Sequence, residues 1–233
     1  MNFGLSQLTF LCVVNDKGKL PTFSANRAGA CILVGSVMEL ATLGYIEIDK
    51  KRVWATGVAL HHDHSHLRPL LNIIVSSRKP MSFSSLSGKY LNTFTGRNLN
   101  DLMMSVGYSL LPIQGVSEVR GRKPLFAPTP SAQRWVASKI RDSFCVSKCI
   151  VSTSICNDFV LAAILDKGGF LKQMFAKAEY QQIRHNIKWL REEVKRNPEF
   201  VALRKTFEFL DICFILFIAI ISSSAGAAAA SGC

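Results

Sequence analysis

The 233-residue sequence predicts a mainly α-helical fold, a single compact helical domain with two small β-hairpins and a buried hydrophobic C-terminal helix. Three observations predict it. Apolar residues recur at helical spacing in several segments, and two of these run into short alternating stretches joined by tight charged turns. Hydrophobic residues make up 48% of the chain and charged ones 19%, enough to bury a core and too apolar for a disordered tail. No Gly/Pro-rich stretch is long enough to separate domains, so residues 1–233 read as one unit.

The elements follow in order. Leu5 to Val14 is a short apolar segment closed by the turn signal Asn15-Asp16-Lys17-Gly18. It lacks a basic n-region and a small-residue cleavage site, so it reads as part of the fold and not as a secretory leader. After Pro21, Ile32, Leu33, Val37, Leu40 and Ala41 mark one helix, with Gly44 as its natural stop. Ile46 to Ile48 and Val53 to Ala55 alternate on either side of Asp49-Lys50-Lys51, a hairpin. Leu67 to Val75 reads as a helix entered near Pro69 and closed by Ser76-Ser77-Arg78-Lys79-Pro80. Met81 to Thr95 is serine-rich, with aromatics at Phe83, Tyr90 and Phe94, and reads as a loop with short helical pieces.

A second helix-then-hairpin follows. Leu99, Leu102, Met103, Val106 and Leu110 share a helical stripe, and Ile113 to Val119 and Leu125 to Ala127 flank Arg120-Gly121-Arg122-Lys123. Ser131 is a good N-cap for the helix carrying Trp135, Val136, Ile140 and Phe144. Helices over Asp158 to Leu165, Phe170 to Phe175 and Ala178 to Lys195 complete the body. The last segment starts after Pro198 and holds 19 uncharged residues from Ile212 to Ala230, a length that can cross a bilayer. Only Ile212 to Ile221 is strongly apolar. A buried helix is the expected reading; a tail anchor is the alternative.

Lys and Arg outnumber Asp and Glu by 28 to 16, a formal charge of +12, which points to an anionic partner, nucleic acid or phospholipid. Residues 61–130 have the fewest acids to offset their bases, and several bases cluster at turns: Arg78 and Lys79, then Arg120, Arg122 and Lys123. Seven cysteines, odd in number and mostly in apolar runs, suit reduced buried thiols. Cys145 and Cys149 fall on one helical face and, with Cys156, lack the paired spacing of a zinc ribbon.

The run His61-His62-Asp63-His64-Ser65-His66 carries transition-metal donors, but adjacent residues of one loop cannot all converge, so it reads as an exposed polar connector and no metal or other cofactor is expected. Glycine-rich phosphate loops, nucleophile elbows and paired carboxylates are absent, which argues against an enzyme. The helix before the first hairpin, with Lys50, Lys51 and Arg52 as a basic wing, has a winged-helix order. Its residues 30–43 hold no Lys, Arg, Asn or Gln to read base edges, so nucleic acid is the weaker reading. A lipid surface needs a few bases for headgroup phosphates and apolar side chains beside them. The second hairpin offers Arg120, Arg122 and Lys123 next to Leu125 and Phe126. The same residues also fit an ordinary hairpin with Leu125 and Phe126 packed inward.

The order Gly35, Glu39, Leu40, Ala41, Gly44, Ile46 and Ile48 resembles the glycine and Glu-Leu-Ala signature of the Golgi phosphoprotein 3 family. The resemblance continues through Arg78-Lys79-Pro80, Arg97-Asn98-Leu99, Leu125 to Thr129, Leu161 to Ile164 and Arg184 to Leu190, about residues 5 to 225. It implies a non-enzymatic, peripheral membrane protein that binds phosphatidylinositol 4-phosphate in a basic pocket. It also implies eukaryotic adaptors that hold the cytoplasmic tails of membrane proteins in the Golgi and self-associate through the hairpin at about Ile113 to Ala127. One of four pocket residues carries over. Arg97 matches, Asn100 replaces the second base, and the Trp and Arg positions fall near Ser24 and on Leu33, with Phe23 and Arg27 close by. This departure suits a divergent bacterial member. The expected lipid-binding residues are Arg97, Arg78, Lys79, Arg120, Arg122, Lys123 and Arg27, with Leu125 and Phe126 touching the membrane.

Overall fold

The computed structural model describes residues 3–49, 51–91, 96–121, 123–145, 153–197 and 204–214. The fold is mainly α and compact, with two small antiparallel sheets set among the helices. The Leu5–Val13 segment is helix α1, lying against α2 (Ala25–Thr42). β1 (Ile46–Asp49) and β2 (Arg52–Ala55) form the first hairpin, with Ile46 opposite Ala55. A 3-10 turn over His62–Leu67 leads into α3 (Arg68–Val75).

The serine-rich stretch expected as loop is more ordered than its composition suggests. Met81–Ser82 forms β3, which pairs with Arg52 and Val53 and adds a third strand to the hairpin. Phe83–Leu91 is helix α4, whose Phe83, Leu86 and Tyr90 turn inward. Burial of that face overrides the weak helix propensity of its serines. α5 (Arg97–Leu110) and the hairpin of β4 (Val116–Val119) and β5 (Leu125–Pro128) repeat the helix-then-hairpin plan. α6 (Pro130–Cys145), α7 (Thr153–Gly168), α8 (Leu171–Met174) and α9 (Lys177–Arg196) follow.

The core is continuous. α2 is buried from Ala28 through Leu40, and Phe159 to Leu165 of α7 packs beside it. That burial explains why residues 30–43 carry no base-reading side chains: α2 is a core helix without a face for DNA. Residues 204–214 are helical, and Phe207, Leu210, Cys213 and Phe214 are buried, so the described part of the apolar C-terminal helix belongs to the core. Residues 215–233, the rest of the tail, lie outside the described residues, as do Cys149 and the side chains of Cys145 and Cys156. Among the described residues, no helix is long and apolar enough to cross a membrane. Cys12, Cys31 and Cys213 are thiols without a disulfide; burial pushes Cys12 up to about 12 and raises the other two further.

One buried acid ties three segments together. Glu39 of α2 accepts the backbone N–H of Ser6 at 2.7 Å in the first turn of α1. Its other oxygen meets Nε2 of His66 at 3.1 Å, with the two side chains 8% and 3% exposed. α1 begins at Gly4, which has no side chain to cap the helix, so the carboxylate of α2 does this from across the interface. A Cβ at residue 4 would collide with the Glu39 carboxylate, so glycine is required for this approach. His66 thereby departs from the exposed connector that the histidine run suggests. Burial pushes the Glu39 carboxyl up, but the hydrogen bond and charge of His66, with the hydrogen bonds from Ser6, outweigh it and leave the group below its ordinary value.

Two predictions follow from this packing. Glu39→Ala strands His66 in the core and should destabilise by about 3–5 kcal/mol, read by urea denaturation at neutral pH. Because the folded carboxyl titrates below the unfolded one, its contribution is full above the ordinary Glu range and disappears as pH falls through the folded value. Glu39→Gln should therefore flatten the acid limb of the stability curve; a limb as steep as wild type's would show that other carboxylates control it.

Candidate functional site

A cleft of about 430 Å³ opens between the first turns of α5, the β4–β5 hairpin and the loop after α1. Phe10, Gly18, Met103, Met104, Pro124, Leu125 and Phe126 give it apolar walls, and Arg97, Asn100, Asp101 and Lys123 give it polar ones. Arg97, Asn100 and Asp101 share one face because residues three and four apart in a helix point the same way. Lys123 arrives from the other side, on the turn between β4 and β5.

The hairpin is held against α5 by Phe126. Its ring, 2% exposed, lies edge-on to Tyr108 with centroids 4.7 Å apart and packs directly on the backbone of Gly107. A Cβ at Gly107 would overlap the ring. The same packing corrects one expectation: Phe126 is a core residue, so it is not open to a membrane in this structure. Leu125 is half-buried on the cleft wall.

The described residues of the cleft gather positive charge at the start of α5. α5 starts at Gly96 with no side-chain cap and no acid in its first turn, and its first residue is a cation. A helix N-terminus carries partial positive charge, so an arginine there adds like charge to like. Asp101 offsets this only loosely: its carboxylate is 3.9 Å from Nε of Arg97, with side chains 54% and 83% exposed. Lys123 is exposed and has no acidic partner within ion-pair distance among the described residues.

The other expected bases do not converge here. Arg120 is exposed on the hairpin turn outside the cleft lining, and Arg122 lies outside the described residues. Arg78 and Lys79 are exposed in the turn between α3 and β3, away from the cleft lining. Arg27 is exposed on the first turn of α2, with its guanidinium near Gly169. Phe23, in the 3-10 turn Thr22–Ser24 before α2, is fully exposed. Asp101 and Met104 were not among the expected site residues; the i, i+3, i+4 spacing from Arg97 was the available signal for the polar face.

Two other regions carry titratable groups. The histidine run splits: His61, His62 and Asp63 bring donor atoms within 4.8 Å of one another at the surface, while His64 Nδ1 turns to the Tyr45 hydroxyl at 2.9 Å. Three exposed donors are one short of a structural zinc site. A groove of about 420 Å³ between α7 and α9 is lined by Lys167, Arg184, Lys188 and Arg191, but Asp166 and Asp211 pair with both arginines.

Gly107→Ala tests the hinge between hairpin and helix. In an exposed helix this change stabilises by about 1 kcal/mol; here overpacking against Phe126 should reverse the sign, with a net loss of about 1–2 kcal/mol in thermal or urea unfolding. A gain in stability would mean that the ring is free to move aside.

No curated protein sequence matches the chain. The family model described as Golgi phosphoprotein 3 (GPP34) matches residues 5–209, nearly the whole chain and every element that builds the cleft. The chain belongs to the Golgi phosphoprotein 3 family.

Proposed function

We propose that this protein is a non-enzymatic, peripheral membrane-binding adaptor module that seats the phosphate of an anionic lipid headgroup in the cleft between α5 and the β4–β5 hairpin. The observation that carries the reading is the uncapped, acid-free N-terminus of α5, led by Arg97 and faced by Lys123. A phosphate there accepts hydrogen bonds from the first-turn amides and both side chains, and satisfies the helix end. Arg120 on the adjacent turn, with Arg78, Lys79 and Arg27 elsewhere on the surface, contributes longer-range attraction to the same negative leaflet, and Arg122, outside the described residues, adds its charge. Leu125 and the exposed Phe23 supply the apolar contacts that Phe126, being buried, does not.

Family membership supports an adaptor held at a membrane surface, in the Golgi where the cell has one. In that role the cytoplasmic tails of membrane proteins, or a second copy docking through the hairpin, are the protein partners. Phosphatidylinositol 4-phosphate is the family's lipid. This chain retains Arg97 of the matching pocket positions.

Sedimentation with vesicles tests the proposal. Binding should rise with anionic lipid content and vanish on neutral vesicles. Each cation beside an anionic surface contributes about 1 kcal/mol, so Arg97→Ala or Lys123→Ala should each weaken binding about fivefold without lowering the melting temperature. A triple change at Arg120, Arg122 and Lys123 should lose more than either. Unchanged binding in all three variants would put the site elsewhere, and no binding of wild type to any anionic vesicle would end the lipid reading.

A further inference from the structure

We infer that the cleft selects a monoanionic phosphodiester headgroup bearing free hydroxyls, such as a glycerol or unphosphorylated inositol headgroup, over a headgroup carrying a phosphomonoester. This rests on the lipid-binding reading above and names the lipid class it would take. The observation is Asp101. It stands in the cleft lining beside Asn100, in the same space as the two cations that would meet phosphate, Arg97 on its own helix and Lys123 on the hairpin turn.

Charge decides the first half of the inference. Among the described lining residues, two cations and one carboxylate leave one net positive formal charge, which a phosphodiester's single negative charge balances. A phosphomonoester brings about −1.5 to −2 at neutral pH. The excess would meet the like charge of Asp101 in the same lining, and like charges repel. Arg97 cannot cancel Asp101 fully, because the pair is 3.9 Å apart and open to water on both sides. The Asp101 charge is also felt inside the fold: burial first, and then this carboxylate, push the Tyr90 hydroxyl up.

Hydrogen-bond chemistry decides the second half. An ionised carboxylate only accepts, so it calls for donors on the ligand. A phosphodiester or a doubly ionised phosphomonoester has none, whereas the free hydroxyls of glycerol or inositol are donors, and each phosphomonoester on the ring removes one of them. The Asn100 amide offers two donors and an acceptor to the same hydroxyls. Phosphate on the Arg97 and Lys123 side and hydroxyls on the Asn100 and Asp101 side together fill the polar lining. The apolar wall of Met104, Pro124 and Leu125 is left for the glycerol backbone and the first methylenes of a lipid, which places the ligand in a membrane.

The experiment compares vesicles carrying equal mole fractions of phosphatidylglycerol or phosphatidylinositol 4-phosphate, with wild type and Asp101→Asn. Wild type should bind phosphatidylglycerol vesicles at least as tightly, although the other lipid carries more charge. Asp101→Asn should move the ratio of the two affinities about fivefold or more toward the phosphomonoester lipid, with an unchanged melting temperature. A wild-type preference for the phosphomonoester, or a ratio unmoved by Asp101→Asn, overturns the selectivity while leaving membrane binding standing. Loss of binding to both vesicles overturns the lipid site itself. Soluble glycerophosphoglycerol should compete only weakly, since it lacks the chain that meets Leu125 and Met104. Full competition at the lipid's own concentration would assign the cleft to a soluble phosphodiester and overturn the membrane placement.

Discussion

The buried carboxylate of Glu39 is the constraint around which three segments of the core are arranged. Glu39 takes the first-turn amide of α1 with one oxygen and His66 with the other, and so joins the N-terminal helix, the central helix and the turn before α3 in the core. Taking such a charge out of water is costly unless it is hydrogen-bonded, which explains the company it keeps: a helix N-terminus and an imidazole as partners, with Gly4 leaving room for the approach. The Glu-Leu-Ala signature is therefore a packing device. Its glutamate caps a neighbouring helix, its Leu40 is fully buried and Ala41 packs against the core.

From that anchor the geometry of the cleft follows by rigid packing. α1 lies against α2 and α5, and the end of α1 supplies Phe10 to the cleft floor. α5 carries the hairpin through the contact of Phe126 with Gly107 and Tyr108. Arg97 and Lys123, 26 positions apart, face one space because a ring and a missing side chain lock the two elements together. The rim cations are exposed and contribute little to stability as pairs. On the proposed reading, binding and folding rest on different residues, so a ligand preference could change without loss of the fold.

Family membership and chemistry carry separate information here. Residues 5–209 match the family as a whole, and the core helices and both hairpins are present. Among the described residues, the polar lining of the cleft has one arginine, one lysine, an amide and an acid. One fold can serve different ligands through the residues that line its clefts.

The sequence alone determined the helical class, the two hairpins and their basic turns, and the inward helix that follows Gly29, because these depend on local periodicity, turn residues and composition. It also carried the family resemblance, through the order of weak motifs along the chain. The rest needed tertiary structure. Whether Phe126 faces lipid or core was open in the hairpin pattern, and the gap at Gly107 decided it. His66 looked like one member of a polar run until Glu39, 27 residues earlier, was found against its ring. Met81–Ser82 pairs as a strand only because β2 presents a free edge, and Phe83–Leu91 is helical because its apolar face has a core to meet. Asp101 shows no sign in sequence of sharing a space with Lys123. Such facts depend on contacts between segments far apart in the chain, which no local pattern encodes.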